Sequence, residues 1–295
     1  MLTAETLRKI RRIELRTRKL VNDSFAGSYH AVFKGRGIEF DAVRPYEPGD
    51  DLRSIDWNVT ARAGAPYVKR YVEERELTVM LVIDTSASCF FGTLARQKHD
   101  LAAELGAVLA YAAISNQDKV GLLLFSDQVE LYVQPRRGRK HVLLLIRDLL
   151  AARPSQKGTD ISLGLRTVNR LLKRRSIVFL VSDFLVAGEE YQTELALLAR
   201  RHDVIALVLS DPLEARWQDV GLIALVDAET EVVRWVDTGQ KNWRNQFEKQ
   251  AHRFQTLRDQ LLLHAGVDRI DVSTTGDYLE ALTAFFQRRA RRLKR

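Results

Sequence analysis

The strongest constraint on this chain is a set of short, unbroken apolar runs that each stop at an acid or a hydroxyl. They are "LTVMLVI" (77–83, followed by Asp84), "KVGLLLFS" (119–126), "SIVFLVSD" (176–183) and "DVIALVLSD" (203–211). Runs of this length, rich in Val, Ile and Leu without polar alternation, are strands covered on both faces. Helical patterns lie between them. The most apolar is "LARQKHDLAAELGAVLAYAAISN" (94–116), and others fall at 139–151, 161–174 and near 189–201. Strands alternating with helices imply crossover units and an α/β fold, a doubly wound and mostly parallel sheet with helices on both faces. The segment "VELYV" (129–133) is too close to the preceding run for a crossover, so it pairs with that run across Ser126, Asp127 and Gln128.

Beyond residue 211 the pattern changes. Residues 222–237 read as a hairpin about Ala228, Glu229 and Thr230, followed by a long amphipathic helix that stops at Gly266. "VDRIDVST" then supplies one more strand and "GDYLEALTAFFQRRARRLKR" a last helix. This restores the strand–helix rhythm, so the segment belongs to the same sheet and the hairpin is an insertion. Residues 1–75 differ, with a basic amphipathic helix followed by a Gly- and Pro-punctuated stretch of short strands. The expected division is a small N-terminal helix and β-rich module (1–75) beside a larger α/β domain (76–295).

Composition narrows the setting. Cys89 is the only cysteine, so an internal disulfide is excluded. No apolar run approaches the roughly 20 residues of a membrane span. The N-terminus carries charges where a signal peptide needs its apolar stretch, so a cytoplasmic address is expected. The net charge of +8 gathers at 288–295, at "RRGRKH" (136–141) and at "KRR" (173–175). Such patches attract nucleic acid or anionic lipid, which is a competing function. No aromatic residues interleave with the basic tail as a stacking surface would require.

The chemistry concentrates at the strand ends. After Ile83 come Asp84, Thr85, Ser86 and Ser88 within five residues. A helix cap needs only one such oxygen. In an open α/β sheet, ligands sit beyond the carboxyl ends of the strands, where the winding reverses. A hard divalent cation takes about six oxygens, and Mg2+ accepts one or two carboxylates while keeping waters. Asp84, Ser86 and Ser88, two residues apart, can converge on one ion. Thr159 in "KGTD" adds a hydroxyl, although both it and Asp160 compete to cap the next helix. Asp183 in "FLVSDF" can hold a coordinated water. Cys89 reads as small apolar packing, and the histidines at 30, 99, 141, 202, 252 and 264 lack zinc-ligand spacing. Asp50, Asp51, Asp56 and Arg53 read as turn chemistry and ion pairs with Arg62 or Lys69, with Tyr46 and Trp57 as local core.

"DTSAS", "GTD" and "SDF", in that order on a βα alternation, resemble the metal-ion-dependent adhesion site of the von Willebrand factor A domain. The stretch "GRGIEFDAVRPYEPGDDLRSIDWNVTARAGAPYVKRYVEERE" is similar to the signature of the bacterial family "domain of unknown function 58". The resemblance implies a metal centre of Asp84, Ser86, Ser88, Thr159 and Asp183 holding Mg2+ or Mn2+. It also implies a non-enzymatic protein-binding module whose partner is a MoxR-type AAA+ ATPase. Family members often carry N-terminal membrane helices, which this sequence lacks, so a soluble form is expected. No small-molecule substrate is expected. A phosphatase of the haloacid-dehalogenase type, which also begins with an Asp at a strand end, wants a second Asp where Ser86 stands.

Overall fold

In the computed structural model the described residues are 8, 11–13, 15, 26–33, 38–73, 77–93, 96–153, 158–186 and 188–293. Most of the basic first helix expected over 1–20 lies outside them. The chain divides into two compact units, Phe33–Leu77 and a larger one that unites the first 32 residues with Thr78–Arg295. Ala26–Val32 thus groups with the large unit rather than with the β-rich module. Helix α1 (Ala26–Phe33) shows why. Tyr29 is fully buried, donates its hydroxyl to Asp118 Oδ2 at 3.3 Å, and packs edge-on against Phe286 at 5.9 Å.

The small unit pairs β1 (Ile38–Pro45) antiparallel with β2 (Tyr67–Glu73) across a bulge between Phe40 and Ala42. Helix α2 (Trp57–Ala63) lies between them in sequence; Asp56 caps it by accepting from Asn58 N and Val59 N, and Gly64 closes it at φ +70°. Asp51 caps the preceding turn, Asp50 forms a bidentate pair with Arg44, and Asp56 stands 3.9 Å from Lys69. Turn chemistry therefore accounts for these acids, with Arg44 in the place expected of Arg62. Trp57 is 70% exposed, so it is not the local core expected from its size; at the first position of a capped helix its side chain faces out.

The large unit holds the strands β3 (Thr78–Asp84), β4 (Lys119–Phe125), β5 (Val129–Arg136), β6 (Ile177–Ser182), β7 (Asp203–Ser210) and β10 (Asp268–Ser273). They form one six-stranded sheet in the order β10-β7-β6-β3-β4-β5, parallel throughout except for the β4–β5 pair. From β3 the chain winds outward through β4 and β5, then returns to the centre at β6 and winds the other way. The switch point is the crevice between β3 and β6. The hairpin β8 (Leu222–Val226) and β9 (Val233–Asp237) forms a separate two-stranded sheet, as expected of an insertion.

Both faces of the central strands are buried, which explains their unbroken apolarity. Met80, Val82, Leu123 and Val178 face α5 (Ile161–Leu171), α6 (Gln192–Arg201) and the C-terminal end of α8 (Lys241–His264) in one apolar cluster. On the opposite face lies α3 (Lys98–Ser115), whose residues Leu101–Ala113 are buried all round apart from Glu104. A Cβ on Gly106 would sit 3.1 Å from Leu149 and 3.3 Å from Ile83, so glycine lets α3 approach both the sheet and α4 (Arg139–Ala151). The last helix, α9 (Tyr278–Leu293), packs on β10, and α7 (Pro212–Ala215) follows β7.

Behind α6, His202 is 3% exposed and its Nδ1 accepts from Ser176 N at 3.3 Å. Burial, then the Arg201 and Arg175 charges, hold its pKa down to about 4. An unfolded histidine titrates near 6.5, so between these values the unfolded chain binds the extra proton and folding stability falls as pH falls. Urea unfolding at several pH values is expected to show this loss between about pH 6.5 and 4. His202→Asn, which keeps an acceptor for Ser176, should give a flatter curve over that window.

Candidate metal centre

Asp84 closes β3 at the switch point and is fully buried. Ser182, the last residue of β6, donates its hydroxyl to Asp84 Oδ2 at 2.6 Å and accepts from Phe184 N at 2.9 Å. Asp84 Oδ1 accepts from Ser86 N at 2.9 Å, a turn that brings the Ser86 hydroxyl round to within 3.2 Å of the Ser88 hydroxyl. Thr85 takes another role: its N–H and hydroxyl both bond to Phe125 O, at 2.8 and 3.0 Å, tying the end of β3 to β4. Phe184 holds φ +55°, a costly conformation for a bulky residue. It bends the chain directly after Asp183 and is itself buried against Tyr191.

Asp183 is almost fully buried, and its Oδ2 lies 2.6 Å from Lys98 Nζ. Lys98 opens α3, is fully buried, and also ion-pairs with Glu214. Glu214 in turn closes a capping box on Asp211 at the start of α7. Burial works against the Lys98 ammonium, but the Asp183 and Glu214 charges overcome it and raise its pKa above the usual lysine value. Burial, then the neighbouring Asp183 charge, pushes the Asp84 carboxyl up to about 6. Among the described residues Asp84 has hydrogen-bond donors but no cation.

Asp183 and Glu214 share the one Lys98 ammonium and Asp84 has none, so the cluster is short of positive charge. Asp84, Asp183 and Cys89 each offer an atom within 4.8 Å of the others. Burial, then the two aspartates, raises the Cys89 thiol well above its usual pKa, which disfavours the thiolate that a metal would need. The donors then left are hard oxygens, and a hard divalent cation fits both their chemistry and the missing charge.

Asp84, Ser86, Ser88 and Asp183 are thus gathered at one rim. Thr159 is on the neighbouring loop, held to the end of β4 by Asp160 N donating to Ser126 O at 2.9 Å. Asp160, not Thr159, caps α5 by accepting from Leu163 N. The Thr159 hydroxyl donates instead to Glu229 Oε1 at 3.0 Å, at the tip of the β8–β9 hairpin. Sequence reasoning singled out neither Lys98, Ser182 nor Glu214. The one local signal for Lys98 is a cation at the head of a helix that is otherwise small and apolar. At the far end of the chain Arg289 pairs with Asp203 and Asp268, so part of the basic tail is a structural clamp on β7 and β10.

A sheet of this strand order, with a buried carboxylate and serine hydroxyls at its switch point, is the arrangement that the resemblance to the von Willebrand factor A domain led one to expect. Residues 42–256 match the family described as "Protein of unknown function DUF58", and the chain belongs to that family. "Uncharacterized protein Mb1516" of Mycobacterium bovis is 30% identical over 286 residues, covering 96% of this chain and 89% of that one. Among solved structures, an aerotolerance-related membrane protein from Bacteroides fragilis shares the fold at TM-score 0.51 and 15% identity, over 73% of this chain and 99% of that one. The SpRpn10 VWA domain aligns with 70% of this chain and 93% of its own at TM-score 0.38 and 11% identity. Among the described residues no helix is long and apolar enough to cross a membrane.

Removing Lys98 leaves the buried Asp183 and the half-buried Glu214 without their cation. Lys98→Met is expected to cost about 3–5 kcal/mol of stability, the range for breaking a buried pair from one side. Lys98→Met combined with Asp183→Asn should recover part of that loss, because the second change removes one stranded charge. Denaturant unfolding of the two variants checks this.

Proposed function

We propose that this chain is a metal-dependent protein-binding module. Asp84, Ser86, Ser88 and Thr159 would hold Mg2+ or Mn2+, with Asp183 acting through a water. Bound there, the ion supplies an electrophilic point that attracts a carboxylate from a partner. The observation that carries this reading is the buried, charge-deficient Asp84 beside two converging serine hydroxyls. Few anionic ligands touch the ion in such a set, so much of its charge is left for the guest. Metal and guest then bind cooperatively, because each supplies what the other lacks.

The chain's own residues do the positioning. Ser182 fixes the Asp84 carboxylate against β6, and the Asp84–Ser86 turn aims the two hydroxyls. Lys98 neutralises Asp183, so this carboxylate is kept buried without drawing fully on the ion. A binding role also suits the lack of a proton donor two residues after Asp84, where Ser86 stands, and the disfavoured thiolate of Cys89. The family resemblance suggests a MoxR-type AAA+ ATPase as the partner, met in the cytoplasm through an acidic side chain.

Calorimetric titration with Mg2+ and Mn2+ is expected to show one site, weakened more than about tenfold by Asp84→Asn and by Ser86→Ala/Ser88→Ala. Thermal unfolding without metal should be little changed in the serine variant. A MoxR-type ATPase from the same genome should be retained by the wild type with Mg2+ and released by chelator. Equal retention in excess chelator would overturn the reading.

A further inference from the structure

We propose that Glu229 is a carboxylate this chain offers to its own metal centre, standing where a partner's acidic side chain must enter. This rests on the metal-binding reading above. Glu229 lies at the tip of the hairpin formed by β8 and β9, whose register runs from Leu222↔Asp237 to Val226↔Val233. The turn between the strands is fixed by Asp227, whose Oδ1 accepts from Glu229 N at 3.0 Å and from Thr230 N at 2.8 Å. Glu231 adopts φ +58° to complete it. The base of the hairpin is fixed as well: Thr238 is fully buried, accepts from Val220 N at 2.9 Å and donates to Gly221 O at 2.7 Å. Both ends of this arm are therefore set, and its tip presents Glu229 to Thr159 across 70 residues of sequence.

The chemistry of that one contact is specific. Thr159 is the donor, so its proton goes to Glu229 while its oxygen lone pairs stay available to a cation. A carboxylate held beside a ligating hydroxyl is also within reach of the ion that the hydroxyl binds. An exposed glutamate gains little from a lone hydrogen bond to a hydroxyl, against the entropy of holding its side chain. A divalent ion shared by both groups supplies the missing attraction. The guest that the site takes from outside is then an acidic side chain able to displace Glu229, and moving the hairpin opens the site.

Mn2+ alone is the probe. Free Mn2+ counted by electron paramagnetic resonance gives affinity, and water-proton relaxation gives the number of exchangeable waters on the bound ion. Glu229→Gln sits in an exposed turn and should leave the melting temperature unchanged. The variant is expected to bind Mn2+ about three- to tenfold more weakly and to show higher relaxivity per bound ion, because water takes the place of the carboxylate. Added acetate should lower that relaxivity in the variant and not in the wild type. Unchanged affinity and relaxivity would overturn the role of Glu229 while leaving the metal centre intact, as would weaker binding with unchanged relaxivity. Failure of the wild type to bind Mn2+ at all, with Asp84→Asn indistinguishable from it, would remove both readings.

Discussion

The structure depends on a carboxylate held where a carboxylate is expensive. Asp84 ends a strand that is buried on both faces, and it is sealed by Ser182 from the strand across the switch point. Burying an ionised group without a counter-charge is costly, and proteins escape by pairing it, neutralising it or binding a metal. Here pairing has gone to its neighbour: Lys98 serves Asp183 and Glu214. What stays at Asp84 is a half-solved electrostatic problem, seen in its raised pKa. The turn that caps Asp84 also directs two hydroxyls to one side, and on this the proposed ion site rests.

Lys98 links this rim to parts of the fold that a ligand would never touch. Its ammonium joins the end of β6, the head of α3 and, through Glu214, the capping box that starts α7. Asp211, at the end of β7, extends the same fastening, accepting from Thr93 N and from the Thr274 hydroxyl. Strand-end acids therefore have different fates, and Asp183 is the one paired with Lys98. Asp211 is spent on backbone and hydroxyl donors and holds loops together. Asp84 has donors too, yet it alone combines them with deep burial, an anionic neighbour and converging serine oxygens.

The strands were legible because two buried faces leave no freedom for polar alternation, so "LTVMLVI" or "SIVFLVSD" admits little besides a central strand. The last strand–helix pair joined the same sheet as its rhythm implied, while its place beside β7 and the order of the strands came from the structure. Asp84, Ser86 and Ser88 were legible for a local reason: spacing along one turn brings them together. Lys98, Ser182 and Glu229 act over 85, 98 and 70 residues of separation, and pairings at that distance leave no mark in a single chain. Thr159 lay between these cases. Its place on a loop at the head of a helix could be read from "KGTD", but not the direction of its hydroxyl, which depends on where the inserted hairpin folds back. Trp57 misled because size suggests burial, whereas its position just inside a capped helix turns the ring outward.

The insertion also gives the site an unusual relation to its own chain. A hairpin that merely bridged α7 and α8 would need no fixed tip, since the base contacts at Thr238 already close the loop. Its tip is nonetheless ordered by Asp227 and ends on the loop that carries Thr159. One face of the hairpin is apolar and open, with Leu222, Val226, Val233 and Trp235 all more than half exposed. A strand pair of that composition gains by being covered, and covering it would bear on the position of Glu229, since the register ties that face to the turn. The tip contact with Thr159 and the open apolar face thus both belong to an insertion into the sheet's connections rather than to the sheet that carries Asp84.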